Sequence, residues 1–384
     1  MAGPLAGIRV VELGRFVAAP WCGQMLADLG AEVIKVEQPG QGDQIRQYGP
    51  PFVGEPYPAE GLTSSYFACC NRGKRSVEID LATAEGQEQV KALARGADAL
   101  LENFKAGHLR RFGLHEEAIR AVAPQIIYLS ISGFGQSGPY SDRPGLDSVF
   151  QAMGGLMSVT GEPGAPPTKI GVTIVDLITG LYGAIAVLAA LRAREMGGAG
   201  GQSIDLALLD VAIAAMSHRA QDYLLTGDVP RASGTATVGS TPAQVFRAAD
   251  GWINIQAGDD RNFKRLCEVI GREDLADDPR YARRLERWKN RAEFLPEIED
   301  ALAGREVRSL YEQLTRKGLV CSPIYTLDQT FSDPHVIHRD VLRTIEHPRG
   351  TIRSVRNPIR FSKSHIQDER PSPMLGEGNR ELLR

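Results

Sequence analysis

Strand and helix signals alternate from residue 8 to residue 131, and this alternation constrains the fold more than any other feature. Residues 8–13 form a short β-branched run, residues 20–29 have helical character ending at Gly30, and residues 32–37 read as a second strand. Three further strands are expected at 74–81, 97–104 and 126–131, with helix-like stretches at 83–95 and 115–122 between them. Strand, helix, strand with short links means right-handed crossovers and a parallel sheet. The fold class that follows is α/β, with a Rossmann-like parallel sheet domain.

The rest of the chain adds a second body. Residues 39–64, rich in Gly and Pro, read as a long ordered loop. Residues 173–195 read as a long buried helix, and the Gly-Gly-Ala-Gly-Gly turn at 197–201 leads into a strand at 203–209. A polar, glycine-bearing stretch at 226–241 reads as a domain boundary, followed by a strand at 252–256, a helix at 260–270 and charged helical sequence to Arg316. A length of 384 residues accommodates this. The expected organisation is a large α/β domain begun by residues 1–225, a smaller α+β lobe at 226–325, and a segment at 326–384 that returns to the large domain.

Composition excludes some partners. A formal net charge of -3 argues against nucleic acid, whose phosphates require a basic surplus. Met1 leads directly into the first strand, with no secretory signal. The longest apolar run, 177–191, is broken by Gly180 and Gly183 and is short for a bilayer, so no membrane partner is expected. Cys22, Cys69, Cys70, Cys267 and Cys321 form no C-x-x-C pair, which suits a reducing cytoplasm.

Familiar motifs are absent. After the first strand the chain reads Gly14-Arg15-Phe16-Val17-Ala18-Ala19-Pro20, not G-x-G-x-x-G. Gly73-Lys74-Arg75-Ser76 lacks the upstream glycine of a phosphate loop. Neither H-E-x-x-H nor G-x-S-x-G occurs, and His335 with His338 gains no further ligand, so no metal is expected.

The informative stretch is 139–210. It holds Arg143-Pro144-Gly145-Leu146-Asp147, then Gln151-Ala152-Met153-Gly154-Gly155, then Gly171-Val172-Thr173-Ile174-Val175-Asp176-Leu177-Ile178-Thr179-Gly180. Further landmarks are Ala27-Asp28-Leu29-Gly30-Ala31-Glu32-Val33-Ile34-Lys35-Val36-Glu37, Asn71-Arg72-Gly73-Lys74-Arg75-Ser76, Glu102-Asn103-Phe104 and Gly200-Gly201-Gln202. In these, over nearly its whole length and in order, the chain resembles the class III CoA-transferases, the family of formyl-CoA and carnitine CoA-transferases.

The resemblance implies an enzyme that moves CoA from an acyl-CoA donor to a carboxylic acid acceptor. Coenzyme A enters as substrate, and no tightly bound cofactor is needed. It places the catalytic nucleophile at Asp176, in the first turn of the long helix, where unsatisfied N–H groups and the positive dipole end favour an ionised carboxylate. A plain helix-start aspartate is the alternative for Asp176 without that resemblance, and Asp147 reads equally as a supporting carboxylate or a helix start. Gly180 and Gly183 share a face with Asp176 and would leave room for a thioester.

The CoA site is implied on the loops after the strands. Candidates are Val17, Ala18, Asn71, Lys74, Arg75, Asn103, Phe104 and Arg111, with Lys74 and Arg75 as phosphate partners or else a solvated basic pair. Pro39 stands where some relatives carry arginine. Gly239 and Ser240 are candidate backbone donors to oxyanions. Arg15 and Arg46 could pair with a remote substrate carboxylate. The family's mechanism passes through an aspartyl anhydride and an aspartyl-CoA thioester. Succinyl-CoA is a common donor in it, dicarboxylates are frequent acceptors, and its members form interlocked homodimers.

Two rival functions remain. One is an α-methylacyl-CoA racemase, but Gly145-Leu146-Asp147 stands where racemases place their histidine base. The other is a catalytically silent CoA-binding protein.

Overall fold

The computed structural model describes residues 2–54 and 63–383. Part of the predicted loop at 39–64 therefore lies outside the described residues. The chain divides into two compact units. The first comprises Met1–Leu156, Lys169–Asp228 and Arg339–Arg384, and the second Met157–Thr168 and Val229–His338.

The first unit is built on a six-stranded parallel sheet. Its strands are β1 (Arg9–Glu12), β2 (Glu32–Glu37), β3 (Arg75–Glu78), β4 (Ala99–Glu102), β5 (Ile127–Ser132) and β6 (Ser203–Ala207). Their spatial order is β3-β2-β1-β4-β5-β6, every neighbouring pair being parallel. Consecutive apolar residues belong to strands covered on both faces. Val10, Val33, Ala99, Leu101, Ile127 and Leu129 face α1 (Ala18–Asp28), while Val11, Ile34, Val77, Leu100 and Tyr128 face α3 (Ala84–Arg95) and α4 (Glu116–Val122). A short α2 (Ser65–Asn71) precedes β3.

The crossover from β5 to β6 carries α5 (Asp147–Met153), a single turn α6 (Leu156–Val159) and the 22-residue α7 (Ile174–Glu195). α7 is long and apolar enough to cross a membrane, unlike the shorter run expected from sequence. Here it lies on α1, with Val175, Ala184, Val187, Ala190 and Leu191 in the core. Gly180 and Gly183 make that packing possible. A Cβ at Gly180 would lie 2.8 Å from the Ala18 carbonyl oxygen and from the Trp21 ring, and one at Gly183 would crowd Leu129 and Cys22. The two glycines therefore serve helix packing rather than opening space for a thioester.

After β6 come α8 (Leu208–Ala215) and α9 (Ser217–Thr226), where sequence had suggested strand to 209. The carboxy-terminal tail protects the edge strand β3: Gly378 N–H donates to Ser76 O, and Asn379 Oδ1 accepts from Glu78 N–H. The alternating residues near 343–363 form a separate antiparallel hairpin, Leu342–His347 with Gly350–Val355.

The second unit contains an antiparallel sheet of Ala243–Arg247, Trp252–Gln256 and Val320–Pro323. Phe263, Phe294, Ile298, Leu310 and Leu314 fill its core between that sheet and its helices.

Candidate active site

The strand order reverses between β1 and β4, so the loops at their carboxyl ends diverge and open a crevice. A cleft of about 250 Å³ lies there, lined by Arg15, Gln38, Asp80, Phe104, His108 and Arg111 among others. The loop entering it is held in a strained form, with Phe16 at φ 61°. Two side chains maintain that form. Asn103 Oδ1 accepts from Arg15 N–H at 2.8 Å while Asn103 Nδ2 donates to Arg15 O at 2.7 Å, and Asp43 Oδ1 accepts from Phe16 N–H at 3.2 Å.

Aromatic rings and guanidinium groups furnish the cleft. The Arg15 guanidinium lies 4.1 Å over the Phe104 ring, Phe104 stacks on His108 at 5.4 Å, and Arg111 covers Phe112 at 4.5 Å. Burial holds the Arg15 guanidinium below its ordinary value; Arg111 pushes it the same way and Asp43 opposes. Two guanidinium groups in one crevice are chemically suited to pairing with phosphate oxygens.

Beneath the cleft lies a buried ionic network. The Lys35 amine touches Glu12 at 3.0 Å and Asp43 at 3.0 Å, and Arg46 pairs with Glu37 at 2.7 Å, all five groups at or near zero exposure. Lys74 belongs here too. Its amine donates to Glu12, to the Pro20 carbonyl at 2.8 Å and to Asn71 Oδ1 at 2.8 Å, with no exposed surface. Burial pushes that amine down to about 8 against the pull of Glu12. Lys74 is therefore a framework residue and not a phosphate partner, and Asn71, wholly buried, holds Lys74 rather than a ligand. Arg46 is likewise committed to Glu37 and the Pro373 carbonyl, not to a remote substrate carboxylate.

Arg75 also departs from expectation. It begins β3, and its guanidinium pairs with Glu32 and Glu381 at the amino ends of the strands, the edge opposite the cleft. Val17 and Ala18 open α1 with their side chains in the core, so what they offer a ligand is the helix's first-turn backbone. Asn103 grips the Arg15 peptide with both ends of its amide and so shapes the loop. Gly239, at φ 77°, and Ser240 lie in the second unit, where Ser240 N–H already donates to Thr237 O in its own turn. That bond removes the Ser240 half of the expected donor pair.

The carboxylate pair lies at the start of α7, whose first turns run beside those of α1 at the same edge of the sheet. Asp147, 7% exposed, begins α5. Its Oδ1 accepts from Val175 N–H at 2.8 Å and from Asp176 N–H at 3.2 Å, and its Oδ2 accepts from Gln151 Nε2 at 2.6 Å. Asp147, not Asp176, thus takes the positive end of α7. Desolvation, reinforced by the Asp147 charge, pushes Asp176 up to about 7, which corrects the expectation that the helix terminus keeps it ionised.

Sequence reasoning missed Gln151, His108 and the cleft role of Arg15. The signal for Gln151 was its i+4 spacing from Asp147 on one helix face. For Arg15 it was position alone, three residues after the end of β1. Among the described residues, no group of three or more His, Cys, Asp or Glu gathers as metal ligands.

The pattern of CoA-transferase family III matches residues 5–379. The succinate–glutarate CoA-transferase of Agrobacterium fabrum is 43% identical, covering 99% of this chain and 95% of its own. The succinyl-CoA–D-citramalate CoA-transferase of Chloroflexus aurantiacus is 38% identical over 99% of this chain and 93% of its own. Among solved structures, a CAIB/BAIF family protein from Brucella suis superposes with a TM-score of 0.90 at 40% identity, covering 100% of both chains. The fold and these likenesses define the class: the chain belongs to CoA-transferase family III, enzymes whose substrate is an acyl-CoA. Its similarity to both named transferases extends over almost their full length.

Proposed function

We propose that this CoA-transferase takes CoA from succinyl-CoA and gives it to a dicarboxylic acid, with Asp176 as the covalent nucleophile. The observation that carries the chemistry is the asymmetric carboxylate pair: three donors converge on Asp147, whereas the Asp176 carboxylate sits half-buried in the first turn of α7. The choice of acids is supported by the named activities of the two relatives, both of which use succinyl or succinate groups with a second dicarboxylate.

Ionised Asp176 attacks the thioester carbonyl of succinyl-CoA, forming a mixed anhydride and releasing CoA thiolate. The thiolate attacks the aspartyl carbonyl, which frees succinate and leaves an aspartyl-CoA thioester. The acceptor carboxylate attacks that thioester, giving a second anhydride and thiolate. Thiolate attack on the acceptor's acyl carbonyl yields the new acyl-CoA and restores Asp176. A nucleophile whose proton dissociates near neutrality is more basic than an ordinary carboxylate, which favours the first attack. Asp147 anchors the helix that carries it.

The nucleotide end of CoA is assigned to the crevice, with Arg15 and Arg111 at its phosphates and the rings of Phe104 and His108 beside its base. We also infer a homodimer. Leu181, Tyr182 and Ile185 of α7, and Ile213, Leu224 and Leu225 of the following helices, are exposed large apolar side chains, which a second copy would cover. A monomer persisting at micromolar concentration in light scattering would count against it.

Incubation of the protein with succinyl-CoA and a panel of free acids, followed by mass spectrometry of the CoA pool, tests the function. A new acyl-CoA should appear with glutarate or a near analogue, together with an equal amount of succinate. Transfer to no acid, combined with solvent deuterium entering the α-carbon of a 2-methylacyl-CoA, would instead favour the racemase reading.

A further inference from the structure

Gln151 takes no part in the reaction described above, yet its side chain joins the start of α5 to the backbone that leads into α7. It is wholly buried. Its amide nitrogen donates to Asp147 Oδ2 at 2.6 Å and reaches the Val172 carbonyl at 3.3 Å. Its amide oxygen accepts from Ile170 N–H at 2.8 Å. Two of these bonds fix the backbone at 170–172 that enters α7. The third turns the Asp147 carboxylate so that Oδ1 meets the N–H groups of Val175 and Asp176.

We propose that Gln151 is a positioning residue of the transfer reaction: it holds Asp147 as the carboxylate that receives the helix N–H donors, and thereby leaves the Asp176 carboxylate without a donor and available to attack. This rests on the reading of Asp176 as nucleophile. A buried amide donor is well suited to the role. It satisfies one carboxylate oxygen without adding a charge, whereas a lysine or arginine at 151 would neutralise Asp147 and a glutamate would compete with it.

The charged surroundings of Asp176 make the role measurable. From α5 the group acting on it is Asp147. The neighbouring residues of α1 are Ala18, Trp21 and Cys22, which present no carboxylate or cation, and α2 contributes Phe67 and Cys70 to the cluster around Leu177. Asp210 in the first turn of α8 is exposed. Asp147 is therefore the charge through which Gln151 acts. If Gln151 loses its donor, Asp147 Oδ2 is left buried and unpaired. That carboxylate is then free to turn away from the start of α7, and its charge bears less on Asp176.

The test compares wild type, Gln151→Met, Asp147→Asn and the double variant, using the full-length enzyme with succinyl-CoA and its working acceptor. In wild type, kcat/KM should rise with pH as Asp176 ionises. Gln151→Met should lower kcat by about tenfold to a hundredfold through misplacement of the nucleophile, with KM for succinyl-CoA changed by less than about threefold. It should also move the acid limb of kcat/KM to lower pH. Asp147→Asn should move the limb the same way, and Gln151→Met should move it no further in that background, because no charge remains to be positioned.

An unmoved limb in Gln151→Met, or an equal additional shift in the Asp147→Asn background, would overturn the proposal. If Gln151→Met fails to fold, Gln151→His, which retains a ring N–H donor, should keep the wild-type limb, and a limb shifted as in Asp147→Asn would again overturn it. The nucleophile reading is checked separately by hydroxylamine trapping on wild-type Asp176, whose absence would remove that reading whatever Gln151 does.

Discussion

The protonation of Asp176 sets up a conflict between activity and stability that can be measured without any substrate. The perturbation is Asp176→Asn, which keeps the shape of the side chain and removes its ionisation. The carboxyl dissociates at about 7 in the folded protein against 3.8 in an exposed reference, because burial and Asp147 disfavour its charge. A folded value raised above the unfolded one contributes stability that is fully present below 3.8 and lost as pH rises through about 7. The gap corresponds to at most about 4 kcal/mol. Wild type carries that penalty above neutrality and the asparagine variant does not. Urea unfolding of both proteins, each compared at the same pH, should show the variant more stable by up to about 4 kcal/mol at pH 8.5, with about a third of that difference at pH 5. Equal stability at pH 8.5, or a difference independent of pH, would refute the account of Asp176 as a desolvated carboxyl.

Other expected outcomes follow from the cleft and its foundations. Lys74→Met leaves Glu12 with one buried cationic partner instead of two and should cost about 3 kcal/mol in urea unfolding, while CoA affinity of the folded protein changes by less than about twofold. Arg15→Met should weaken CoA binding by about tenfold to a hundredfold in calorimetry, and should weaken a pantetheine thioester lacking the nucleotide much less, since charge-assisted bonds to phosphate are lost only in the former. Gly183→Val should depress thermal stability sharply, because its methyl groups meet Cys22 and Leu129 across a packed helix contact.

The strands β1 to β5 were legible because their apolar runs are short, are β-branched in β1, β2 and β5, and are set apart by helical stretches. The sequence periodicity also placed Asp176 in the first turn of α7. What the periodicity could not convey was which side of a strand or helix is dry. Lys35 and Glu37 interrupt β2 as though solvated, yet both are buried, Lys35 paired with Glu12 and Asp43 and Glu37 with Arg46. Lys74 and Arg75 read as one basic pair, but adjacent residues of an extended chain point to opposite sides, and here one enters the interior while the other stays at the amino-terminal edge. Gly180 and Gly183 were assigned to the correct face of α7 relative to one another and to the wrong neighbour, because helix periodicity does not say what packs against a face. The state of Asp176 was misread for a related reason. A helix N-terminus favours whichever carboxylate takes its N–H groups, and here Asp147 arrives from a distant turn to do so.

The most direct test of the central claim is chemical trapping at Asp176. Wild-type enzyme incubated with succinyl-CoA and then quenched with hydroxylamine should carry a hydroxamate on the peptide containing Val175-Asp176-Leu177, since an anhydride or thioester on the aspartyl carbonyl reacts with hydroxylamine and a free carboxylate does not. Asp176→Asn should show no label, retain CoA binding and lose transfer by orders of magnitude. Undiminished transfer in Asp176→Asn, or a hydroxamate on a different residue, would contradict the account.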